Sequence, residues 1–151
     1  MGTGLPFRVL LVEDNPDDEK MTLRALKQAE VQDVYVARDG AEALDYLFNR
    51  GDFANRVGSD PPILILLDLK LPKVSGMEVL EQLRKNEDTT NVPVVVLTSS
   101  DEDQDILKSY NLRANSYVRK PVEYESFMNT VKGLGLYWTE TNLRPRQRAK
   151  V

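Results

Sequence analysis

Several residues able to do acid, hydroxyl or amine chemistry stand where apolar runs stop. Glu13-Asp14 end the first run, Asp68 ends Ile63-Leu64-Ile65-Leu66-Leu67, Thr98 ends Val92 to Leu97, and Lys120 follows Asn115 to Arg119. The run before Asp68 has no polar alternation, the pattern of a strand buried on both faces of a parallel sheet. In open α/β sheets, ligands sit outside the carboxyl ends of the strands. In a five-strand sheet ordered 2-1-3-4-5, the first and third strands are neighbours at the switch point, so Glu13, Asp14 and Asp68 would converge. Three carboxylates together repel, and a hard divalent ion with oxygen ligands relieves that; Mg²⁺ suits a few carboxylates plus waters and phosphate oxygens. A carboxylate beside Mg²⁺ can attack a phosphoryl group. Lys120 and Thr98 would then offer a charge and a hydroxyl to the phosphoryl oxygens.

The elements that must position these groups can be read along the chain. Phe7 to Val12 is a first strand. Asn15-Pro16 starts a helix, with Asn as cap and Pro in the first turn. Asp17, Asp18 and Glu19 suit the positive end of that helix, and Thr22, Ala25, Leu26 and Ala29 recur at helical spacing. Val34 to Ala37 is a second strand. Asp39 with Glu42, and Ser75 with Glu78, form capping-box patterns ahead of helices faced by Leu44, Leu47 and Phe48, and by Val79, Leu80 and Leu83. Residues 49–61 read as a loop. Val92 to Leu97 is a fourth strand. The spacing then predicts a helix over 101–110 with Ile106, Leu107 and Tyr110 inward. A short fifth strand follows, 115–119. The last helix carries Tyr124, Phe127, Met128, Val131 and Leu134 on one face, with Gly133 and Gly135 weakening its final turn. Strand and helix alternate five times. That implies an α/β fold, a doubly wound five-stranded parallel sheet with right-handed crossovers and helices on both faces.

Composition sets the bounds. A chain of 151 residues, 41% apolar and 29% charged, suits one globular domain able to bury its own core. Without cysteine there is no disulfide or thiolate chemistry, and without histidine there is no imidazole base or phosphohistidine on this chain. No apolar run approaches the roughly 20 residues that span a bilayer, and the first five residues lack signal-peptide character. These features set the expectation of a cytoplasmic protein. The net charge of -4 argues against non-specific nucleic-acid binding.

Leu11-Val12-Glu13-Asp14-Asn15, Leu66 to Pro72 around Asp68, the Gly76 turn, Leu97-Thr98-Ser99 and Arg119-Lys120-Pro121 together resemble the receiver domain of two-component response regulators. The resemblance implies a (βα)5 flavodoxin-like receiver fold with strand order 2-1-3-4-5, spanning residues 6–138 and followed by a basic tail, 139–151. It implies that Asp68 accepts a phosphoryl group from the phosphohistidine of a sensor histidine kinase. Asp14, Asp68 and the Lys70 carbonyl would bind Mg²⁺ directly, and Glu13 through water. Thr98 and Tyr117 would be switch residues, and Lys120 would contact the phosphoryl group. Lys70 and Ser100 occupy positions that tune dephosphorylation, and the Lys120–Pro121 bond would be cis.

Residues 110–117 and Leu136-Tyr137-Trp138 are similar to one subgroup, the stand-alone regulators associated with bacterial phytochromes. That likeness implies a phytochrome as the kinase, no output domain, an unnamed downstream protein, and a homodimer through the last strand, the last helix and Tyr137-Trp138.

Taken singly, each residue has a plainer reading. Asp14 could be a helix cap, Thr98 a turn residue, Lys120 a solvated lysine and Tyr117 a packed strand residue. Tyr137 and Trp138 could close the chain's own core, and the basic tail could be a solvated terminus. Two other functions compete with a switch that catalyses only its own phosphorylation and dephosphorylation. A Mg²⁺-dependent aspartyl-phosphate phosphohydrolase needs a second acid two residues after the nucleophile, where Lys70 stands. A phosphorylation-independent scaffold would usually lack one of the acids, the Thr or the Lys. A dinucleotide site is disfavoured because no Gly-x-Gly-x-x-Gly follows the first strand.

Overall fold

The computed structural model describes residues 9–56 and 60–144. Five strands, β1 (Val9–Val12), β2 (Val34–Ala37), β3 (Leu64–Leu67), β4 (Val94–Thr98) and β5 (Ser116–Arg119), form one parallel sheet in the order β2-β1-β3-β4-β5. A helix follows each: α1 (Pro16–Gln28), α2 (Gly40–Phe48), α3 (Gly76–Lys85), α4 (Asp103–Asn111) and α5 (Tyr124–Leu136). The three inner strands are buried at every residue, while the edge strands β2 and β5 are mostly half-buried. Phe7 and Arg8, expected in the first strand, lie outside the described residues.

Side chains alternate between two cores, because successive strand residues point to opposite faces. Leu10, Val12, Ile65, Leu67, Val94 and Val96 pack with α2 and α3. Val9, Leu11, Leu64, Leu66, Val95 and Leu97 pack with α1 and α5. The helix starts use the expected caps. Asn15 Oδ1 accepts from the Asp18 N–H at 3.0 Å, Asp39 Oδ1 from Glu42 at 2.7 Å, and Ser75 Oγ from Glu78 at 3.2 Å.

The structure differs from the sequence reading in several places. Leu107 and Tyr110 face solvent, 64% and 49% exposed, and the buried residue of α4 is Ser109. This helix lies by the edge strand β5 and meets α3 through Ser109 and Met77, so its sheet-facing stripe is narrow. Tyr124 is also outward, where its hydroxyl accepts from Arg24 Nη1 at 3.0 Å. Residues 51–56 hold short 3₁₀ turns inside the expected loop, kinked at Phe53 (φ -108°, ψ 16°), whose ring packs edge-on against the stacked pair Tyr35 and Tyr46. The Lys120–Pro121 bond is trans, the form that X–Pro bonds favour by about 0.5–1 kcal/mol.

The last helix does not stop at its glycines. Gly135 lies against α1, where a Cβ would come within 3.0 Å of Leu26 Cδ2 and 3.3 Å of Ala29 Cβ. The chain continues into a π-helical turn, Tyr137–Thr141, closed by Asn142 N–H on Tyr137 O at 2.7 Å. Trp138 is buried in the α1/α5 core, whereas Tyr137 is 48% exposed. The expected tail therefore begins inside ordered helix, and its residues 145–151 lie outside the described residues.

Candidate functional site

The parallel register builds the site at the C-terminal edge of the sheet. Val12 of β1 is level with Ala37 of β2 and Leu67 of β3, and the next residues continue the ladder. Glu13 N–H donates to Ala37 O at 3.0 Å, and Asp68 N–H to Val12 O at 3.1 Å. Glu13 and Asp68 thus leave adjacent strands side by side. On the other flank, Lys120 N–H donates to Thr98 O at 2.7 Å, fixing the end of β5 to the end of β4. A glycine is required at position 76. A Cβ there would overlap the Asp68 carbonyl oxygen, so α3 starts this close to Asp68 only because the side chain is absent.

Glu13, Asp14, Asp68, Thr98 and Lys120, each at or just past the end of its strand, meet at this edge, and Tyr117 does not. Carboxylate oxygens of Glu13, Asp14 and Asp68 lie within 4.8 Å of one another. Glu13 and Asp68 are buried and Asp14 is exposed, so the cluster opens to solvent on the Asp14 side. Thr98 is fully buried and donates from Oγ1 to Asp68 Oδ1 at 2.9 Å. The Lys70 N–H donates to the same oxygen at 3.1 Å, which leaves Asp68 Oδ2 to Lys120. The Lys120 ammonium reaches Asp68 Oδ2 at 2.7 Å, Asp18 Oδ2 at 2.7 Å and Glu13 Oε1 at 2.8 Å.

The electrostatics follow from burial and pairing. Burial pushes the Glu13 carboxyl up to about 7; the hydrogen bond and charge of Lys120 pull the other way, and the Asp68 charge adds to the rise. Burial alone would lower the Lys120 pKa, but its hydrogen bonds to Asp18, Asp68 and Glu13 outweigh that and hold it above the ordinary lysine range. An all-oxygen donor set with an unbalanced negative charge fits a hard divalent cation, and Glu13, Asp14 and Asp68 are the residues placed to hold one.

Tyr117 stands apart from this cluster. Its ring is half-buried and its hydroxyl donates to the Ser100 carbonyl at 2.9 Å. Burial raises its pKa, and acids at 101, 102 and 105 add to that. Ser100 Oγ in turn donates to Asp105 Oδ2 at 2.7 Å, which ties the loop after β4 to the first turn of α4.

Asp18 is the site residue that sequence reasoning missed, being read only as an acid suited to a helix N-terminus. A signal was present. Asn15 as cap puts Asp18 three residues into the helix, where Cβ bonds lean back toward the N-terminus and hence toward the sheet edge. Nothing local pairs it with a lysine 102 positions away.

The response regulator receiver domain model matches residues 9–132. Response regulator Rcp1 of Synechocystis is 38% identical over 93% of this chain and 94% of its own length. The chain is also similar to two solved structures of this kind. The phosphorylated cyanobacterial phytochrome response regulator RcpA superposes with a TM-score of 0.87 at 37% identity, over 94% of this chain and 100% of that one. The Mn²⁺-bound form of Rcp1 superposes with a TM-score of 0.86 at 37% identity, over 93% and 100%.

Proposed function

The chain belongs to the response regulator receiver domain family, and from that premise we propose that it is a phosphorylation-controlled switch whose acceptor is Asp68. One arrangement carries the reading. Asp68 has one oxygen held by Thr98 and Lys70, the other against Lys120, and two further acids within 4.8 Å. An Asp68 oxygen attacks the phosphorus of a phosphohistidine on a sensor kinase. A P–O bond forms as the P–N bond breaks, and the imidazole leaves neutral with its other nitrogen already protonated. Lys120 and Thr98 then turn their donors from Asp68 to the phosphoryl oxygens. Asp14, Asp68, the Lys70 carbonyl and, through water, Glu13 would hold Mg²⁺. The ion supplies neutralising charge at the phosphoryl oxygens.

Phosphorylation then acts as a switch. Movement of Thr98 toward the phosphoryl group vacates space near β5, and Tyr117 exchanges its Ser100 contact for an inward position. The surface formed by α4, β5 and α5 is thereby biased between two states that a downstream protein reads. Similarity to a structure named as a phytochrome response regulator supports a phytochrome-type histidine kinase as the phosphodonor, and the reading places the exchange in the cytoplasm. Tyr137, with β5 and α5, is the proposed homodimer contact. Trp138 belongs to the protein's own core. The receiver unit is taken as 6–138, although helix runs past its end to Thr141.

The test is incubation with Mg²⁺ and acetyl phosphate, followed by intact-mass analysis. Wild type should gain one phosphoryl group that hydroxylamine removes, and Asp68→Asn should gain none. Labelling that survives in Asp68→Asn would assign the acceptor elsewhere.

A further inference from the structure

An ammonium has three N–H donors, and at Lys120 all three are engaged by carboxylates at 2.7 to 2.8 Å. Two of those carboxylates, Glu13 and Asp68, belong to the group placed to hold a cation. The third, Asp18, does not. Its carboxylate does not close a capping box with Asn15, because the Asn15 N–H donates to Glu13 Oε2 at 3.1 Å. Its turn is braced on the outside by Glu19, which accepts two hydrogen bonds from Arg38, each at 2.9 Å. Asp18 is therefore a fixed anion aimed at Lys120 from the first turn of α1.

We propose that Asp18 is a positioning residue for phosphoryl acceptance: it keeps the Lys120 ammonium over Asp68 when Asp68 gives an oxygen to a cation and Glu13 turns to the cation's water. This role rests on the acceptor reading above. Without Asp18, Lys120 would keep only carboxylates that the cation and its water also draw on, and a long flexible side chain would be freer to leave the site. With Asp18, one N–H stays tethered while the others turn to the incoming phosphoryl oxygens. With acetyl phosphate as donor, an Asp68 oxygen forms the new P–O bond. The bond between phosphorus and the bridging oxygen breaks, and acetate leaves with the electron pair.

The experiment compares first-order labelling rates at saturating Mg²⁺ and acetyl phosphate. Asp18→Ala should slow labelling roughly tenfold, the lower range of what a charge-assisted hydrogen bond is worth. Asp18→Asn keeps an oxygen for Lys120 and should fall between Ala and wild type. Asp17→Ala removes the same charge from the same turn without touching Lys120, and should label at the wild-type rate. In the double variant with Lys120→Gln, Asp18→Ala should add nothing. Independently of turnover, the Lys120 ammonium NMR signal, assigned by its loss in Lys120→Gln, should persist in Mg²⁺-loaded wild type and vanish in Asp18→Ala. An unslowed Asp18→Ala, a loss additive with Lys120→Gln, or an ammonium signal indifferent to Asp18 overturns the role of Asp18 alone. A wild-type protein that takes no label overturns the acceptor reading and this role with it.

Discussion

The affinity for Mg²⁺ should fall about tenfold between pH 8 and pH 6, and Glu13 should be the cause. Burial raises the Glu13 carboxyl from 4.5 to about 7 in the metal-free protein. A group with that pKa is about nine-tenths ionised at pH 8 and about nine-tenths protonated at pH 6, whereas an ordinary glutamate is ionised at both. A divalent cation favours the ionised form, so binding at pH 6 must first expel a proton. The cost is on the order of 1 kcal/mol, one pH unit below the pKa. The same shift has a consequence without metal. Between pH 4.5 and about 7 the folded protein holds a proton that the unfolded chain has lost. Stability should therefore decrease as pH rises through that window, by on the order of 3 kcal/mol in all. Mg²⁺ should oppose that loss. Isothermal titration calorimetry at pH 6, 7 and 8, in buffers of differing ionisation enthalpy, measures both affinity and released protons. Glu13→Gln should flatten the profile. A wild-type affinity constant across this range, with no proton release, would refute the electrostatic account of Glu13.

Removing the ammonium should be costlier than removing any one acid. Lys120→Met leaves Glu13, Asp18 and Asp68 facing one another, and should lower the unfolding free energy by about 3–5 kcal/mol in metal-free urea titrations. Part of that should return on adding Mg²⁺, and an unchanged midpoint would contradict the three ion pairs. The two terminal aromatics should separate cleanly. Trp138→Ala should cost about 3 kcal/mol at any protein concentration, because it opens a hole between α1 and α5. Tyr137→Ala should barely change stability but shift sedimentation toward monomer; no shift would discard the proposed dimer contact.

What the sequence disclosed and what it hid divide along physical lines. Parallel strands buried on both faces appear as unbroken apolar runs, so β1, β3 and β4 and the polar residues ending them were legible. Caps are local, so Asn15, Asp39 and Ser75 were legible too. Periodicity finds a stripe on a helix but not its partner, and so Leu107, Tyr110 and Tyr124 were wrongly turned inward. Gly135 looked like a weak point because propensity counts only the helix itself; the close approach of Leu26 and Ala29 from α1 is what requires it. Asp18 was hidden because its partner comes from the far end of the chain.

That missed acid changes the charge balance of the whole rim. Glu13, Asp14, Asp18 and Asp68 bring four formal negative charges when ionised, and Lys120 returns one. A divalent cation leaves the site with a small excess of anion, which is tolerable near solvent on the Asp14 side. On the proposed acceptor role, phosphorylation of Asp68 would form a mixed anhydride, removing the carboxylate charge and installing about -1.5 to -2 in its place, somewhat less for an acyl phosphate. A phosphorylated rim would thus be more negative than the metal-bound one, and the cation and Lys120 together would offset it. The ammonium is held above the ordinary lysine range by the same carboxylates, so it stays charged at every physiological pH. A rim with less acid would meet phosphate with less repulsion but would draw both the divalent cation and the Lys120 ammonium less strongly, so on the proposed reading the excess of anion serves acceptance at Asp68 and does not oppose it.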